Sequence, residues 1–360
     1  MENNNIPLPP EVSDHTKQGG INEKRKNKKP VCIKSIFSRI IIGLILAIIV
    51  LFVGIIVYFR VPVSKFYSIS DKTFKIPDLG KDFVPQGIFY DGPSGDFYVC
   101  GYMSDDSASP IYIIDKETGK VEKKVLMAYE DGSPYSGHAS GIALYNGRVY
   151  IAGCEDNMLY YDPSKIRETE NGNPVNASGI VELSKDGDYI MADLVTVKDD
   201  NLLVGEFYRV PNYITNKTHE VSTNDGKQYA YAVAFKINDK DEAIPQEAYS
   251  IRGKVQGICV KEDTMYISES YGLAFSHIYG YDLSNANKVD DRCVLGAKIP
   301  FYIVDSASQL FDLKIPPMSE EIDMVSDKLY VMSEAASNKY KFGKITGAKK
   351  CYAININELK

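Results

Sequence analysis

Short apolar runs separated by polar turn residues recur along most of the chain. In residues 255–269, the runs 257–260 and 265–268 are rich in β-branched and other apolar residues, and the four residues between them are polar. This pattern predicts two short strands folded back as a hairpin. Recognisable copies occupy residues 85–101, 139–153, 192–206 and 320–334. The sequence therefore predicts five related hairpins.

The hairpins follow one another at intervals of 53 to 64 residues, measured between the equivalent positions Ile88, Ile142, Val195, Ile258 and Ile322. A third strand is predicted after each hairpin, at 111–115, 158–162, 232–236, 278–282 and 351–355. A more polar fourth strand is predicted in the first four units, for example at 120–126 in the first and at 292–297 in the fourth. Four strands per unit at this period are typical of propeller blades. The predicted fold is an all-β, five-bladed β-propeller.

The fifth unit lacks an outer strand, because the chain ends just after its third strand. An uncovered sheet edge invites pairing with other chains, so another segment is expected to cover it. Residues 66–76 alternate polar and apolar side chains and precede the first hairpin. We expect them to pair with residues 351–356 and complete the last blade. The alternative is a flexible stalk.

Residues 40–59 form an uncharged apolar run that would span about 28 Å as a helix, close to the thickness of a bilayer core. The run is longer than the apolar core of a cleaved signal peptide, and residues 60–65 make a poor cleavage site, so a retained anchor is favoured. Seven basic residues lie in 24–39 and two in 60–65, which predicts a cytoplasmic N-terminus. The predicted organisation is a disordered basic tail at 1–39, a transmembrane segment at 40–59, a stalk and closing strand at 60–80, and a propeller at 81–360 outside the cytoplasm, at the cell membrane.

The charge of the chain is unevenly distributed. The net charge is −7 overall and +5 over residues 1–60, which leaves −12 on the predicted exported part. An acidic surface disfavours nucleic acid as a partner and is compatible with cations or basic ligands. The bilayer, contacted through residues 40–59, is a predicted partner. The cysteines show no metal-binding spacing, and we expect mostly buried free thiols, with one or two disulfides as the alternative.

The repeat resembles that of the β-propeller superfamily over about residues 66–360. A short cytoplasmic tail, a signal anchor and five blades are together similar to the architecture of calcium-activated nucleotidases, whose central channel carries a calcium ion. This resemblance is limited to architecture, and the activity of that family is not carried over. The calcium ion in the channel of that family makes Ca²⁺ a candidate cofactor for this chain.

In a propeller, the first strand of each blade lines the channel, and the second strand returns to the face where the first began. Residues that flank each hairpin should therefore converge on one mouth. The positions where the first strands begin are Gln86, Ser140, Asp193, Gln256 and Glu320, with Glu321 next to the last. The positions where the second strands end are Tyr102, Glu155, Glu206, Glu269 and Glu334.

Carboxylates facing one axis suit a hard cation such as Ca²⁺, and they also suit acid–base catalysis. The candidate metal ligands are Asp193, Glu206, Glu269, Glu320, Glu321 and Glu334. The candidate ligand-binding residues are Gln86, His138, Ser140, Gln256, Tyr208, Arg209 and Tyr271. A purely structural role is the alternative, in which these polar groups only hydrogen-bond neighbouring blades.

The sequence contains no Gly-x-Ser-x-Gly elbow and no phosphate-binding glycine loop. The predicted function is therefore binding of a small molecule or a protein partner at one face of the channel. The alternative function is a divalent-cation-dependent hydrolase with its site at the channel mouth.

Overall fold

The computed structural model describes residues 33–153, 155–346 and 348–359. Predictions about the tail before residue 33 and about Cys154 lie outside the described residues. The first helix is Ile33–Arg60, so it begins before the predicted residue 40. It is long and apolar enough to cross a membrane, and signal sequences share this length and composition. Residues 53–360 form one compact unit, so residues 60–80 belong with the β-rich part.

The strands form five antiparallel sheets of similar design. The first sheet contains Phe83–Asp91, Asp96–Met103, Pro110–Asp115 and Val121–Ala128, with Pro174–Asn176 added in parallel at its outer edge. The second contains Gly141–Tyr145, Arg148–Ala152, Asn157–Tyr161 and Gly179–Glu182. The third contains Leu194–Lys198, Asn201–Gly205, Ala230–Ile237 and Ala243–Ile251. The fourth contains Val255–Lys261, Thr264–Glu269, Ser276–Asp282 and Gln309–Ile315, and the fifth contains Ser319–Val325, Lys328–Ser333, Lys350–Asn355 and Ser70–Lys75.

The first strands of successive sheets contact one another, and the first strand of the fifth sheet contacts that of the first. The sheets are therefore blades arranged in a closed ring around a channel, and the prediction of a five-bladed β-propeller is confirmed. The core consists of separate apolar clusters between neighbouring blades. Each blade is consequently buried on both faces.

The edge of the fifth blade is covered by the N-terminal segment. Ser70–Lys75 pairs antiparallel with Lys350–Asn355, with Ser70 opposite Ile354. The residues before it form a short helix, Ser64–Ser68, rather than the predicted strand, and its Phe66 is buried in the cluster between blades four and five. This segment is packed and hydrogen-bonded, so it is not a free stalk.

One strand assignment was wrong. The outer strand of the fourth blade is Gln309–Ile315, and the predicted strand at 292–297 belongs elsewhere. Asn287–Val294 and Ala297–Ile303 form a hairpin that extends the third blade, where Ala297–Ile303 runs parallel to Ala243–Ile251. The physical reason is burial, because the alternating side chains of this strand bury Phe301 in the cluster between blades two and three.

The remaining elements are short. The described residues form one further α-helix, Pro163–Glu168, and two small hairpins, Ser184–Lys185 with Asp188–Tyr189 and Val221–Thr223 with Gly226–Gln228. Short 3-10 helices occupy Val61–Val63, Lys217–His219, Leu283–Asn285, Gly343–Thr346 and Ile356–Glu358. Among the described cysteines, Cys100, Cys259 and Cys351 are buried free thiols and Cys293 is an exposed one.

Candidate functional site

A cavity of about 450 Å³ opens where the first strands of the blades begin. All five residues predicted at the strand starts line it: Gln86, Ser140, Asp193, Gln256 and Glu320. The rest of its wall is Tyr102, His138, Phe207, Tyr213, Tyr271, Gly272, Met318, Glu334, Lys339 and Tyr340. The repeat therefore brings one polar residue from each blade to a single mouth cavity.

Glu321 lies one residue deeper in the channel and does not line the mouth cavity. Its Oε2 accepts hydrogen bonds from the backbone N–H groups of Ile88, at 2.8 Å, and Ile142, at 3.1 Å, in the first strands of blades one and two. Glycines make room for it, since a Cβ added to Gly257 would lie 2.6 Å from the Glu321 Cα, and one added to Gly141 would lie 2.8 Å from its Oε1. Glu321 therefore links blades across the axis instead of facing the cavity.

Glu320 and Glu334 form a buried pair of carboxyl groups that hydrogen-bond each other. Burial raises the pKa of Glu320 well above its usual range, with the charge of Glu334 as a further cause. Burial likewise raises the pKa of Glu334 to about 7. A hydrogen bond between two carboxyl groups requires a proton, so the pair shares one near neutral pH.

The two acids have different surroundings. The Glu334 Oε2 accepts hydrogen bonds from the Tyr340 hydroxyl, at 2.8 Å, and from the Gln86 Nε2, at 3.2 Å. Glu320 is only 2% exposed, and no N–H or O–H donor of the described residues hydrogen-bonds its Oε1. Glu320 therefore accepts fewer hydrogen bonds from its surroundings than Glu334 does.

A second cluster in the same wall combines a cation with aromatic rings. The Lys339 Nζ hydrogen-bonds the Tyr102 hydroxyl and lies 4.6 Å from the Tyr102 ring centroid and 5.6 Å from that of Tyr340. The His138 imidazole stacks on Tyr102 at 4.4 Å. Burial, together with the Lys339 charge, lowers the pKa of His138 to about 4, so His138 is neutral at pH 7.

Two predicted metal ligands are engaged outside the mouth cavity. Glu206 is fully buried, and its Oε2 lies 2.7 Å from the His219 Nδ1 and accepts the Tyr231 N–H at 2.9 Å. It therefore anchors the insertion between the second and third strands of blade three. The Glu269 Oε2 lies 2.5 Å from the Arg252 Nε in an ion pair.

Two predicted ligand-binding residues, Tyr208 and Arg209, do not line the mouth cavity. The Tyr208 ring stacks on Tyr229, with centroids 4.6 Å apart. The Arg209 guanidinium lies 3.8 Å from the centroid of Tyr271, which does line the mouth cavity. Arg209 supports that wall without forming it.

Sequence reasoning missed Lys339 and Tyr340, which lie in the connection between Lys328–Ser333 and Lys350–Asn355. It also missed Phe207 and Tyr213, in the blade-three insertion. The available signal was length, because both connections are longer than those at the same place in other blades. Long connections at a channel mouth commonly supply binding residues.

The spacing of the acidic side chains at the mouth bears on the predicted cation site. At the mouth, no three described Asp, Glu, His or Cys side chains have ligand atoms all within 4.8 Å of one another; the group that meets this spacing is Asp96, Asp115 and Glu122. That group lies at the opposite ends of the strands, where Asp96 pairs with Arg167 at 2.9 Å. A Ca²⁺ site at the mouth stays a prediction.

The carboxyl pair predicts a dependence of stability on pH. Since the folded-state pKa of Glu334 is raised to about 7, folded protein keeps a proton that unfolded protein has already released above about pH 4.3. The free energy of unfolding should therefore fall as pH rises toward 7, by at most about 1.4 kcal/mol per pH unit for one proton. Denaturant titrations should show a shallower fall for Glu334→Gln.

The control for this experiment is Glu155→Gln, which changes an exposed acid shortly after the second strand of blade two. It should keep the wild-type pH profile. Asp323, whose pKa burial also raises to about 7, contributes to the slope of both variants and cancels in the comparison. Identical slopes for Glu334→Gln and wild type would contradict the shared proton.

No family model matches this chain, and no curated protein matches it. Among solved structures, it is similar to glutaminyl cyclase from Myxococcus xanthus, at 9% identity over 79% of this chain and 95% of that chain, with a TM-score of 0.42. It is similar to the WD40 repeats of RRP9, at 9% identity over 80% and 97%, with a TM-score of 0.40. It spans 56% of a chain of Kuenenia stuttgartiensis hydrazine synthase, at 12% identity over 70% of its own length, with a TM-score of 0.33. These likenesses concern the fold and say nothing about what binds at the mouth.

The fold and its cavity together define a class of protein. The described chain is a five-bladed β-propeller with one cavity at the mouth of its channel, preceded by an apolar helix that can span a membrane.

Proposed function

We propose that this protein is a membrane-anchored propeller that binds a small ligand in the mouth cavity. The observation that carries the proposal is the cavity itself, which joins a buried carboxyl pair to a wall of aromatic side chains. Its volume of about 450 Å³ lies within the usual range for small-molecule sites, which is about 300–1,000 Å³. Mostly apolar walls with a few convergent polar groups are also usual for such sites.

Filling the cavity is expected to remove binding. Gln256 is partly exposed in the cavity wall, so Gln256→Trp should occupy ligand space with little effect on the fold. A panel of amines, amino acids, sugars, nucleotides and lactones is screened by the rise in melting temperature of the full-length chain. Compounds that stabilise the wild type should fail to stabilise Gln256→Trp.

The matched control is Gln246→Trp, which adds the same bulk to a strand of blade three outside the mouth cavity. It should respond to the panel as the wild type does. If every stabilising compound acts equally on Gln256→Trp, or if none stabilises the wild type, then the proposed function is wrong.

A divalent-cation-dependent hydrolase is the second candidate. One observation favours it: a pKa of about 7 places Glu334 in the range that suits a general acid or base. Millimolar Ca²⁺ added to chelator-treated protein should then raise its melting temperature, and turnover of a nucleotide, lactone or glycoside should require the cation. An unchanged melting temperature argues against this candidate.

We further propose that the helix anchors the protein and that the propeller lies outside the cytoplasm. The support is the length and composition of Ile33–Arg60 and the excess of basic residues before it. Protease added to intact cells should digest the propeller and spare the N-terminal tail. A reporter enzyme fused after residue 360 that is active only in the cytoplasm would contradict this topology.

A further inference from the structure

We infer that the ligand of the mouth cavity is an organic ammonium ion, a primary or secondary amine carried on a small apolar or aromatic body. The Glu320–Glu334 carboxyl pair is its anionic partner: when the ammonium ion binds beside Glu320, the pair releases its shared proton to solvent. This inference rests on the proposed function, because it assigns a chemical class to the ligand of that same cavity. It rests on three separate observations: the charges of the wall, the unsatisfied carboxyl of Glu320, and the lysine that already lies on the aromatic rings.

The charges of the wall favour a cation. The cavity is lined by three acids, Asp193, Glu320 and Glu334, and by one base, Lys339. Asp193 accepts a hydrogen bond from the Phe207 N–H at 2.7 Å, which holds its carboxylate at the wall. Even with one proton shared by Glu320 and Glu334, the wall carries more negative than positive charge, so an anionic ligand is repelled and a cationic one is attracted.

The carboxyl of Glu320 supplies the point of recognition. It is 2% exposed, lines the mouth cavity, and no described donor hydrogen-bonds its Oε1. A buried acceptor without a donor costs free energy until a ligand supplies one. An ammonium N–H supplies both the donor and the compensating charge, which is the stronger form of hydrogen bond.

The protein itself places an ammonium group in this wall. The Lys339 Nζ lies over the rings of Tyr102 and Tyr340, at 4.6 and 5.6 Å from their centroids. Both distances fall within the range of cation–π attraction, so these faces accept an alkylammonium. Because Lys339 occupies them, its charge also opposes a second cation in the same cavity.

The rest of the wall suits an organic body better than a bare metal ion. Phe207, Tyr213 and Tyr271 line the cavity, with the Phe207 centroid 5.1 Å from that of Tyr213 and 6.4 Å from that of Tyr271. Such rings offer mainly apolar contact and at most two hydroxyl oxygens, whereas Ca²⁺ takes about six to eight oxygens. An amine with an attached ring would contact the carboxyl groups through its nitrogen and the aromatic side chains through its ring.

The test compares two probes of nearly equal shape, benzylammonium and neutral benzyl alcohol, by calorimetric titration of the full-length chain in detergent at neutral pH. Benzylammonium should bind, and benzyl alcohol should bind at least roughly tenfold more weakly. Glu320→Gln should weaken benzylammonium by roughly 10- to 100-fold, the usual loss for a hydrogen bond to a charged group, and should leave benzyl alcohol unaffected.

A second variant moves affinity in the opposite direction. Lys339→Met removes the competing charge and frees the two tyrosine faces, so it should tighten benzylammonium binding. A merely structural disturbance of the mouth would weaken binding in both variants. Glu155→Gln, an exposed acid outside the mouth cavity, serves as the control and should bind as the wild type does.

Equal affinity for the two probes, absence of benzylammonium binding at millimolar concentration, or an unchanged affinity in Glu320→Gln would overturn the inference. Displacement of benzylammonium by millimolar Ca²⁺, together with loss of the Ca²⁺ effect in Glu320→Gln, would also overturn it in favour of a metal. In each of these cases the proposed function still stands if Gln256→Trp abolishes binding of other compounds in the panel.

Discussion

A chain that begins at Lys81 should unfold at a far lower temperature than a chain that begins at Val61. The shorter chain lacks Ser70–Lys75, so the third strand of blade five, Lys350–Asn355, loses its antiparallel partner and becomes an open sheet edge. Open edges also promote association between chains. We therefore expect both lower stability and aggregation.

The size of this effect follows from burial. Phe66, Phe74 and Ile76 are at most 4% exposed and belong to the apolar clusters on the two faces of blade five. At about 1.5–3 kcal/mol for each fully buried side chain, their loss amounts to roughly 5–9 kcal/mol. This is comparable to the whole stability of a typical domain, about 5–15 kcal/mol.

Thermal or urea unfolding of the two chains measures this difference. As a control for general damage from truncation, a synthetic peptide of residues 61–80 is added to the shorter chain. It should restore much of the lost stability by filling the vacated edge. Equal melting temperatures of the two chains would show that the N-terminal segment is dispensable for closure.

Gly257→Ala is expected to destabilise the propeller at its axis. A Cβ at this position would lie 2.6 Å from the Glu321 Cα and 2.8 Å from the Ile322 nitrogen. Both are backbone atoms of the adjoining blade, so the clash cannot be relieved by turning a side chain. Overpacking of this kind costs about 1–3 kcal/mol.

The substitution should also disturb the cavity above it. Moving Glu321 weakens the hydrogen bonds that it accepts from Ile88 and Ile142, and it shifts the neighbouring Glu320. Unfolding experiments should therefore show a stability loss together with weaker ligand binding. Gly92→Ala is the control, because a Cβ there meets no atom within 4 Å. Equal stability of the two variants would contradict a close-packed axis.

The repeat itself could be predicted from the sequence. Hairpin pattern and spacing are local properties, and five similar units must close around an axis to bury both faces of every blade. Because equivalent positions in equivalent blades reach the same ring, Gln86, Ser140, Asp193, Gln256 and Glu320 could be named as one mouth without knowledge of the coordinates.

The pairing of distant strands could not be predicted so well. The hairpin of Asn287–Val294 and Ala297–Ile303 has the same local pattern as an outer strand of blade four, and only contact with blade three decided its place. The same is true of Lys339 and Tyr340, which reach the mouth cavity through a long irregular connection. Loop paths depend on tertiary contacts that leave no periodic signal.

The sequence by itself determined the number of blades and the ring of residues at the start of their first strands. The tertiary structure alone decided which acids face the cavity, since the pairing register shifts at the start of the first strands of blades one, four and five. A shift of one residue turns a side chain to the opposite face of a strand. Adjacent acids therefore separate: Glu320 faces the cavity, while Glu321 holds the blades together at the axis.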